Sequence, residues 1–264
     1  MTQKYPDGTK VISPGTVIVS AGGEVSDVRK VVSPVMVNEP KSAFYHIDFS
    51  FDHLRLGGSA FAQTLNCIGD DVPTVNNPEY FAEAFDAVQR LVKEGLVLAG
   101  HDISAGGLIT ALLEMCFANT TGGMEIDLNS VVEKDIVKLL FAENPALVIQ
   151  VADKDKCRMQ RILDDAGICF VKIGVPTPKR HIAVAKDKRT RLFDIDHIMA
   201  DAEVVDQRIG TIDIMLFPAG HQHTDHAVSS QRLHAQRGDH RAVLASRNAD
   251  NGIAALSVGF KPFA

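Results

Sequence analysis

From residue 43 to about residue 186, short apolar runs alternate with segments in which apolar residues recur at helical spacing. Short apolar runs with the length and composition of β-strands include AFYHIDFSF at 43–51 and ALVIQVA at 146–152. Segments with apolar residues at helical spacing lie between such runs, and this alternation predicts an α/β or α+β layer fold. Further strands are predicted at 16–21, 27–34, 96–100, 124–128, 169–175 and 181–185, and helices at 131–143 and 153–167.

The helix predicted at 77–94 carries start and stop signals as well as a periodic pattern. Asn77 is a capping residue, Pro78 suits the first turn, and Gly95 ends the helix. The apolar residues from Phe81 onward repeat at helical spacing, which is typical of an amphipathic helix.

The pattern divides the chain into three parts. Residues 1–40 are turn-rich and end in a connector that contains Pro34 and Pro40, whereas residues 41–197 carry the alternating pattern. In residues 198–264 the periodicity is weak, and this part holds five of the ten histidines. We expect residues 198–264 to be an atypical tail, either an extension or the product of a shifted reading frame.

Composition excludes several classes of function. Of the 264 residues, 45% are hydrophobic and 23% are charged, and the formal net charge of −6 argues against a nucleic-acid surface. No apolar run reaches the roughly 18 residues of a membrane span, and the first residues lack a signal-peptide pattern. The four cysteines form no C-x-x-C pair, so we expect reduced cysteines and a cytoplasmic protein.

A metal site is not expected, although one stretch of the tail has side chains of the types that bind metals. HQHTDH contributes three histidines and one aspartate, but no predicted scaffold brings them together, so adventitious affinity is the favoured reading. These residues are His221, His223, Asp225 and His226.

Residues 101–108, HDISAGGL, join a predicted strand to a predicted helix. Ser104 is a candidate N-cap, and Gly106 and Gly107 would leave the first turn open for an anion to approach the N–H groups. A tight turn in which glycine lets the helix pack on the sheet explains the same residues, and both readings stay open. Asp102 could hold a metal ion or orient His101, although a local hydrogen-bonded pair is the commoner arrangement.

The stretch HDISAGGLITALLEMCFA resembles the His-Asp-x-Ser-x-Gly-Gly-Leu signature of the phosphoribosylformylglycinamidine synthase family, ATP-dependent amidotransferase-type enzymes of purine biosynthesis. TVIVSAGGEVSDVRKVVSP, LRLGGSAFAQ and NPALVIQVADKD also resemble that family, so the resemblance covers roughly residues 5–197. It indicates the second of the family's two AIR synthase-related C-terminal domains. The implied fold is α+β, with helices that cover one face of a mixed, curved sheet.

The resemblance also implies a reaction and a substrate site. In this family, ATP activates the amide oxygen of formylglycinamide ribonucleotide, and ammonia from a glutaminase domain then displaces phosphate to give the amidine. The implied cofactors of the full-length enzyme are ATP and Mg²⁺. The implied site for the substrate's 5′-phosphate consists of Ser104, Gly106 and Gly107, with His101 and Asp102 beside it.

A second and weaker candidate for the phosphate site is the turn of Gly57, Gly58 and Ser59, for which an ordinary helix start is the favoured interpretation. By the same resemblance, residues 1–40 are the end of a preceding ATP-binding-type domain and a linker. We therefore expect a fragment that is inactive alone, whose partners are the other synthetase and glutaminase domains, with homodimerisation through unpaired strand edges as a further possibility. The alternatives are a non-catalytic docking module of the same enzyme and another ATP-dependent member of the AIR synthase superfamily.

Overall fold

The computed structural model describes residues 2–4, 6–8, 10–12 and 27–200. Strands β1 (Thr2–Lys4) and β2 (Lys10–Ile12) form a small antiparallel sheet. The strand predicted at 27–34 is wrong, because the Asp27 side chain accepts a hydrogen bond from the Arg29 N–H (3.1 Å) and starts a 3₁₀ turn at Val28–Lys30. The strand predicted at 16–21, the HQHTDH stretch and the tail beyond residue 200 lie outside the described residues.

A second sheet of seven strands forms the centre of the described structure. Its strands are β3 (Ser42–Asp48), β4 (Ala99–Ile103), β5 (Gly123–Asp127), β6 (Ala146–Ala152), β7 (Phe170–Thr177), β8 (His181–Lys186) and β9 (Arg189–Asp194). They lie in the order β4-β6-β3-β7-β5-β8-β9. Strands β5 and β8 are parallel and every other neighbouring pair is antiparallel, so the sheet is mixed.

Five α-helices accompany this sheet within residues 27–200. They are α1 (Ala60–Thr64), α2 (Pro78–Lys93), α3 (Gly107–Phe117), α4 (Ile136–Phe141) and α5 (Lys156–Asp165). The predicted start of helix α2 is confirmed, because the Asn77 side chain accepts a hydrogen bond from the Tyr80 N–H (3.0 Å) and Pro78 is the first helical residue. None of the helices in the described ranges has the length and apolar character needed to cross a membrane.

The helices pack on both faces of the sheet at β3 and β6. Leu147 and Ile149 of β6 join the hydrophobic cluster of α2 and α5, whereas Ala146 and Val148 join the cluster of α3 and α4. The α+β class and the mixed sheet are therefore confirmed, and one detail is corrected: two faces are covered rather than one. The apolar run ALVIQVA fits this arrangement because a strand buried on both faces needs little polar alternation.

Strand β9 is the strand of the seven-stranded sheet that the hydrophobic pattern missed. Its residues, RTRLFD, are mostly exposed and include three charges, so the apolar alternation is weak. It pairs with β8 across a two-residue turn in which Asp187 and Lys188 have φ of 49° and 63°. Such turns are usually signalled by Asn-Gly or Asp-Gly, and Asp-Lys carries no comparable signal.

Candidate functional site

The two consecutive glycines of HDISAGGL both adopt left-handed backbone conformations. Gly106 is the N-cap of α3 with φ of 88°, and Gly107 is its first residue with φ of 73°. A Cβ on Gly107 would lie 2.6 Å from the carbonyl oxygen of Leu140 and 2.7 Å from the Cα of Phe141. Glycine is therefore required here by backbone conformation and by the close approach of α4.

Ser104 does not cap α3, which corrects one expectation. Its carbonyl oxygen accepts a hydrogen bond from the Gly107 N–H (3.0 Å), so residues 104–107 form a closed turn before the helix. Gly106 takes the capping position without a side-chain hydrogen bond. The first turn of α3 thus begins two residues later than a Ser104 cap would place it.

Glu143 joins the two glycine segments that the sequence analysis selected. Its Oε1 atom accepts a hydrogen bond from the Gly106 N–H (2.7 Å) and another from the Ala60 N–H (2.7 Å). Ala60 is the first residue of α1, directly after Ser59, whose side chain accepts from the Ala62 N–H (3.1 Å). Sequence reasoning missed Glu143, because it lies 37 residues after Gly106 and 83 after Ala60 and no local pattern marks it.

The Gly57-Gly58 segment lies against the loop that follows α1. The Gly57 N–H donates to the Asp71 carbonyl (2.8 Å), and the Gly58 N–H donates to the Ile68 carbonyl (2.9 Å). A Cβ on Gly57 would lie 2.5 Å from the carbonyl carbon of Asp71. This geometry supports the reading of an ordinary helix start, in which the first glycine allows a close backbone contact.

His101 and Asp102 lie within β4 rather than in the turn after it. His101 Nδ1 is 2.7 Å from the Asp102 carbonyl oxygen, and His101 Nε2 is 3.0 Å from Glu114 Oε2 on α3. A carbonyl oxygen can only accept, and a carboxylate accepts as well, so both ring nitrogens are placed to donate, as in an imidazolium. Sequence reasoning missed Glu114, although a single charged residue in GLITALLEMCF was a usable signal.

Burial and neighbouring charges shift the pKa of His101 in opposite directions. Burial lowers the pKa of His101, but the hydrogen bond and charge of Glu114, helped by Asp102, outweigh it and hold that pKa above its usual value. Burial is the main cause that raises the pKa of Asp102, and the positive charge of His101 opposes it. The site therefore favours a positively charged ring between two acidic residues.

We expect His101 to make the free energy of unfolding depend on pH. Because the pKa of His101 is raised in the folded protein from 6.5, its contribution is fully present below pH 6.5 and is lost as pH rises through the folded-state pKa. Urea unfolding of the wild type and of His101→Gln between pH 5.5 and 9 measures this loss. The stability of the variant should fall less than that of the wild type as pH rises across that window, and equal slopes for the two proteins would contradict the assignment.

The described residues hold no cluster of three or more metal-ligating side chains. In residues 27–200 no three His, Cys, Asp or Glu side chains converge into a group that could hold a metal ion. A cavity of about 280 Å³ lies at the other end of α3, away from the glycines. Its lining residues are Phe117, Thr120, Arg180, Asp196, Met199 and Ala200.

Residues 49–187 match the family model described as AIR synthase related protein, C-terminal domain. The chain belongs to this family. The matched residues include α3, both glycine segments and Glu143, and they confirm the resemblance found in the sequence. The match also lies inside the predicted 41–197 domain, whose exact limits stay a prediction.

Three curated relatives of this AIR synthase-related domain are named as phosphoribosylformylglycinamidine synthases, two of them as probable ones. Phosphoribosylformylglycinamidine synthase of Homo sapiens is 35% identical over 169 residues, which is 63% of this chain and 12% of the relative. The probable enzyme of Caenorhabditis elegans is 34% identical over 215 residues, 76% of this chain and 16% of the relative. The probable chloroplastic/mitochondrial enzyme of Arabidopsis thaliana is 33% identical over 199 residues, 75% of this chain and 14% of the relative. The chain thus spans under a fifth of these relatives.

A solved structure shares the fold. PurL of T. maritima, in a structure described as complexed with FGAR, superposes with a TM-score of 0.50 at 17% sequence identity. The similarity covers 64% of this chain and 29% of that chain. At this level of identity the likeness shows the fold alone.

Proposed function

We propose that this AIR synthase-related domain serves a phosphoribosylformylglycinamidine synthase, an ATP-dependent ligase that forms a C–N bond in purine biosynthesis. The observation that carries the proposal is the shared name of relatives that are 33% to 35% identical over 63% to 76% of this chain. In that reaction ATP phosphorylates the amide oxygen of formylglycinamide ribonucleotide, and ammonia then displaces phosphate to form the amidine. Other synthetase and glutaminase domains are the proposed partners, in the cytoplasm.

Within this reaction we assign the substrate's 5′-phosphate to residues 104–107, with His101 and Asp102 beside it. Two features support the assignment. The left-handed glycines keep side chains away from the start of α3, and His101, three residues before Ser104 in the chain, is placed to carry positive charge. We assign the ATP and Mg²⁺ contacts to parts of the enzyme outside residues 41–197.

A second candidate function is that of a non-catalytic docking module of the same enzyme. It is favoured by the hydrogen bonds that already satisfy the N–H groups of Gly57, Gly58 and Gly106 inside the chain. The contact of Gly107 with the end of α4 also explains that glycine without a ligand. Under this alternative no phosphate ester binds at residues 104–107.

NMR titration of the full chain with ribose 5-phosphate separates the two candidates. The phosphate assignment predicts selective amide shifts at residues 104–107 and affinity about threefold to tenfold weaker in His101→Gln, which leaves the Glu114 charge uncompensated. His53→Gln is the matched control, because His53 is an exposed histidine outside residues 101–107. This variant should bind ribose 5-phosphate like the wild type. Gly106→Val is a poor probe, because a Cβ there would lie 2.2 Å from Thr110 Oγ1. Absence of shifts at millimolar ligand would favour the docking module.

We expect the chain to show no synthase turnover by itself. Supplied with ATP, Mg²⁺, ammonia and formylglycinamide ribonucleotide, it should release no phosphate above the uncatalysed background, since it spans only 12% to 16% of its curated relatives. A coupled phosphate-release assay measures this, with a full-length synthase as the positive control. Robust turnover by the chain would contradict our assignment of the ATP contacts to other domains.

A further inference from the structure

We infer that Glu143 is a positioning residue that gates the proposed phosphate segment, so that a phosphate must displace its carboxylate in order to bind. The inference rests on the proposed function, because it concerns the same residues 104–107. It also extends that function, because it connects the segment to the start of α1, which the phosphate itself need not touch.

The first step is direct competition for one hydrogen atom. The Gly106 N–H donates to Glu143 Oε1 at 2.7 Å, a short distance of the kind found when the acceptor is a carboxylate. A backbone N–H offers one hydrogen, so a phosphate oxygen that takes this donor occupies the place of Oε1. Two anionic groups at that distance would also repel each other, and the carboxylate must therefore move aside.

The second step is that the residues on either side of Glu143 are held by hydrogen bonds that do not involve its carboxylate. On one side, the Ala142 N–H donates to the Lys138 carbonyl (3.0 Å) and ends α4. On the other side, buried Asn144 accepts from the Arg55 N–H (3.0 Å) and donates to the His53 carbonyl (3.0 Å). Displacement of the carboxylate therefore leaves these flanking hydrogen bonds in place.

The third step is that displacement of the Glu143 carboxylate also changes a hydrogen bond at the start of α1. The same Oε1 atom that leaves Gly106 also leaves the Ala60 N–H, which it holds at 2.7 Å. The helices α1 and α4 remain in contact, because the rings of Phe61 and Phe141 stack with centroids 4.6 Å apart. Ala60 is therefore a reporter of the gate: its amide should respond to a ligand bound at residues 104–107.

The substitution Glu143→Gln separates a gate from a purely structural contact. Glutamine has the same reach, but its oxygen is uncharged and a weaker acceptor, so the free energy of unfolding should fall. The affinity for ribose 5-phosphate should rise about tenfold, the effect of weakening one charge-assisted competitor. A residue with only a structural role would lose stability and affinity together. Glu83→Gln, at an exposed position of α2, is the matched control and should change neither.

The experiment is NMR titration of the full chain, wild type and both variants, with ribose 5-phosphate. Shifts at residues 104–107 together with Ala60 in the wild type, and tighter binding by Glu143→Gln, support the gate. Shifts at residues 104–107 without Ala60, or equal or weaker binding by the variant, overturn the gate and leave the proposed phosphate site standing. No binding by either protein overturns both. The wild-type Ala60 readout decides the matter even if Glu143→Gln does not fold.

Discussion

Gly107→Ala should lower the free energy of unfolding by about 2 to 5 kcal/mol, since left-handed strain and overpacking act at one position. The residue has φ of 73°, and the added Cβ would lie 2.6 Å from the Leu140 carbonyl oxygen and 2.7 Å from the backbone of Phe141. The clash is relieved only if the end of α4 moves away from α3. This movement would also shift Glu143, which follows α4 directly. Urea unfolding monitored by circular dichroism measures the loss.

Gly95→Ala is the matched control for the steric part of this effect. Gly95 has φ of 71°, nearly the same as Gly107, but nothing lies within 4 Å of a Cβ built on it. This substitution should cost only about 1 to 2 kcal/mol, the strain of a left-handed alanine. Equal losses at the two positions would contradict the close packing of Gly107 on α4, and would reopen the reading in which the first turn is spacious.

Gln150→Met should lower the free energy of unfolding by about 2 to 4 kcal/mol, because it removes three hydrogen bonds at roughly 1 kcal/mol each and leaves buried partners unsatisfied. Gln150 is fully buried in β6. Its Oε1 accepts from the Val37 N–H (2.8 Å), and its Nε2 donates to the Val37 carbonyl (2.7 Å) and to Ser42 Oγ (2.8 Å). The amide thus fixes the connector before β3 to the sheet.

Gln89→Met is the matched control for the loss of a glutamine amide. Within the described part of the chain, the Nε2 atom of Gln89 is buried and has no hydrogen-bond partner. Its replacement should therefore leave the free energy of unfolding unchanged or raise it by up to about 1 kcal/mol. The same urea titration compares the two variants. A loss at Gln89 as large as that at Gln150 would show that methionine fits poorly in both places, independent of hydrogen bonding.

The positions of elements could be predicted where the signals are local. Helix α2 begins and ends as its cap residues indicate, and β6 follows its apolar run. Strand β4 was predicted at 96–100 but runs over Ala99–Ile103, because its register against β6 pairs Ala99 with Gln150 and Ile103 with Ala146. Of the apolar residues before this strand, buried Leu96 packs in the hydrophobic cluster of α2 and α5. Pairing with a distant strand decided the boundary.

The amino-acid sequence predicted the alternating strands and helices and the two glycine segments, because periodicity, caps and motifs are short-range properties of the chain. Its resemblance to a known family implied the mixed α+β fold. The sequence did not determine what each segment contacts. The tertiary structure alone placed Glu143 between Gly106 and Ala60, Glu114 against His101, and the end of α4 against Gly107. These contacts join residues far apart in the sequence, and only the packing of α1, α3 and α4 brings their hydrogen-bonding groups within reach of one another.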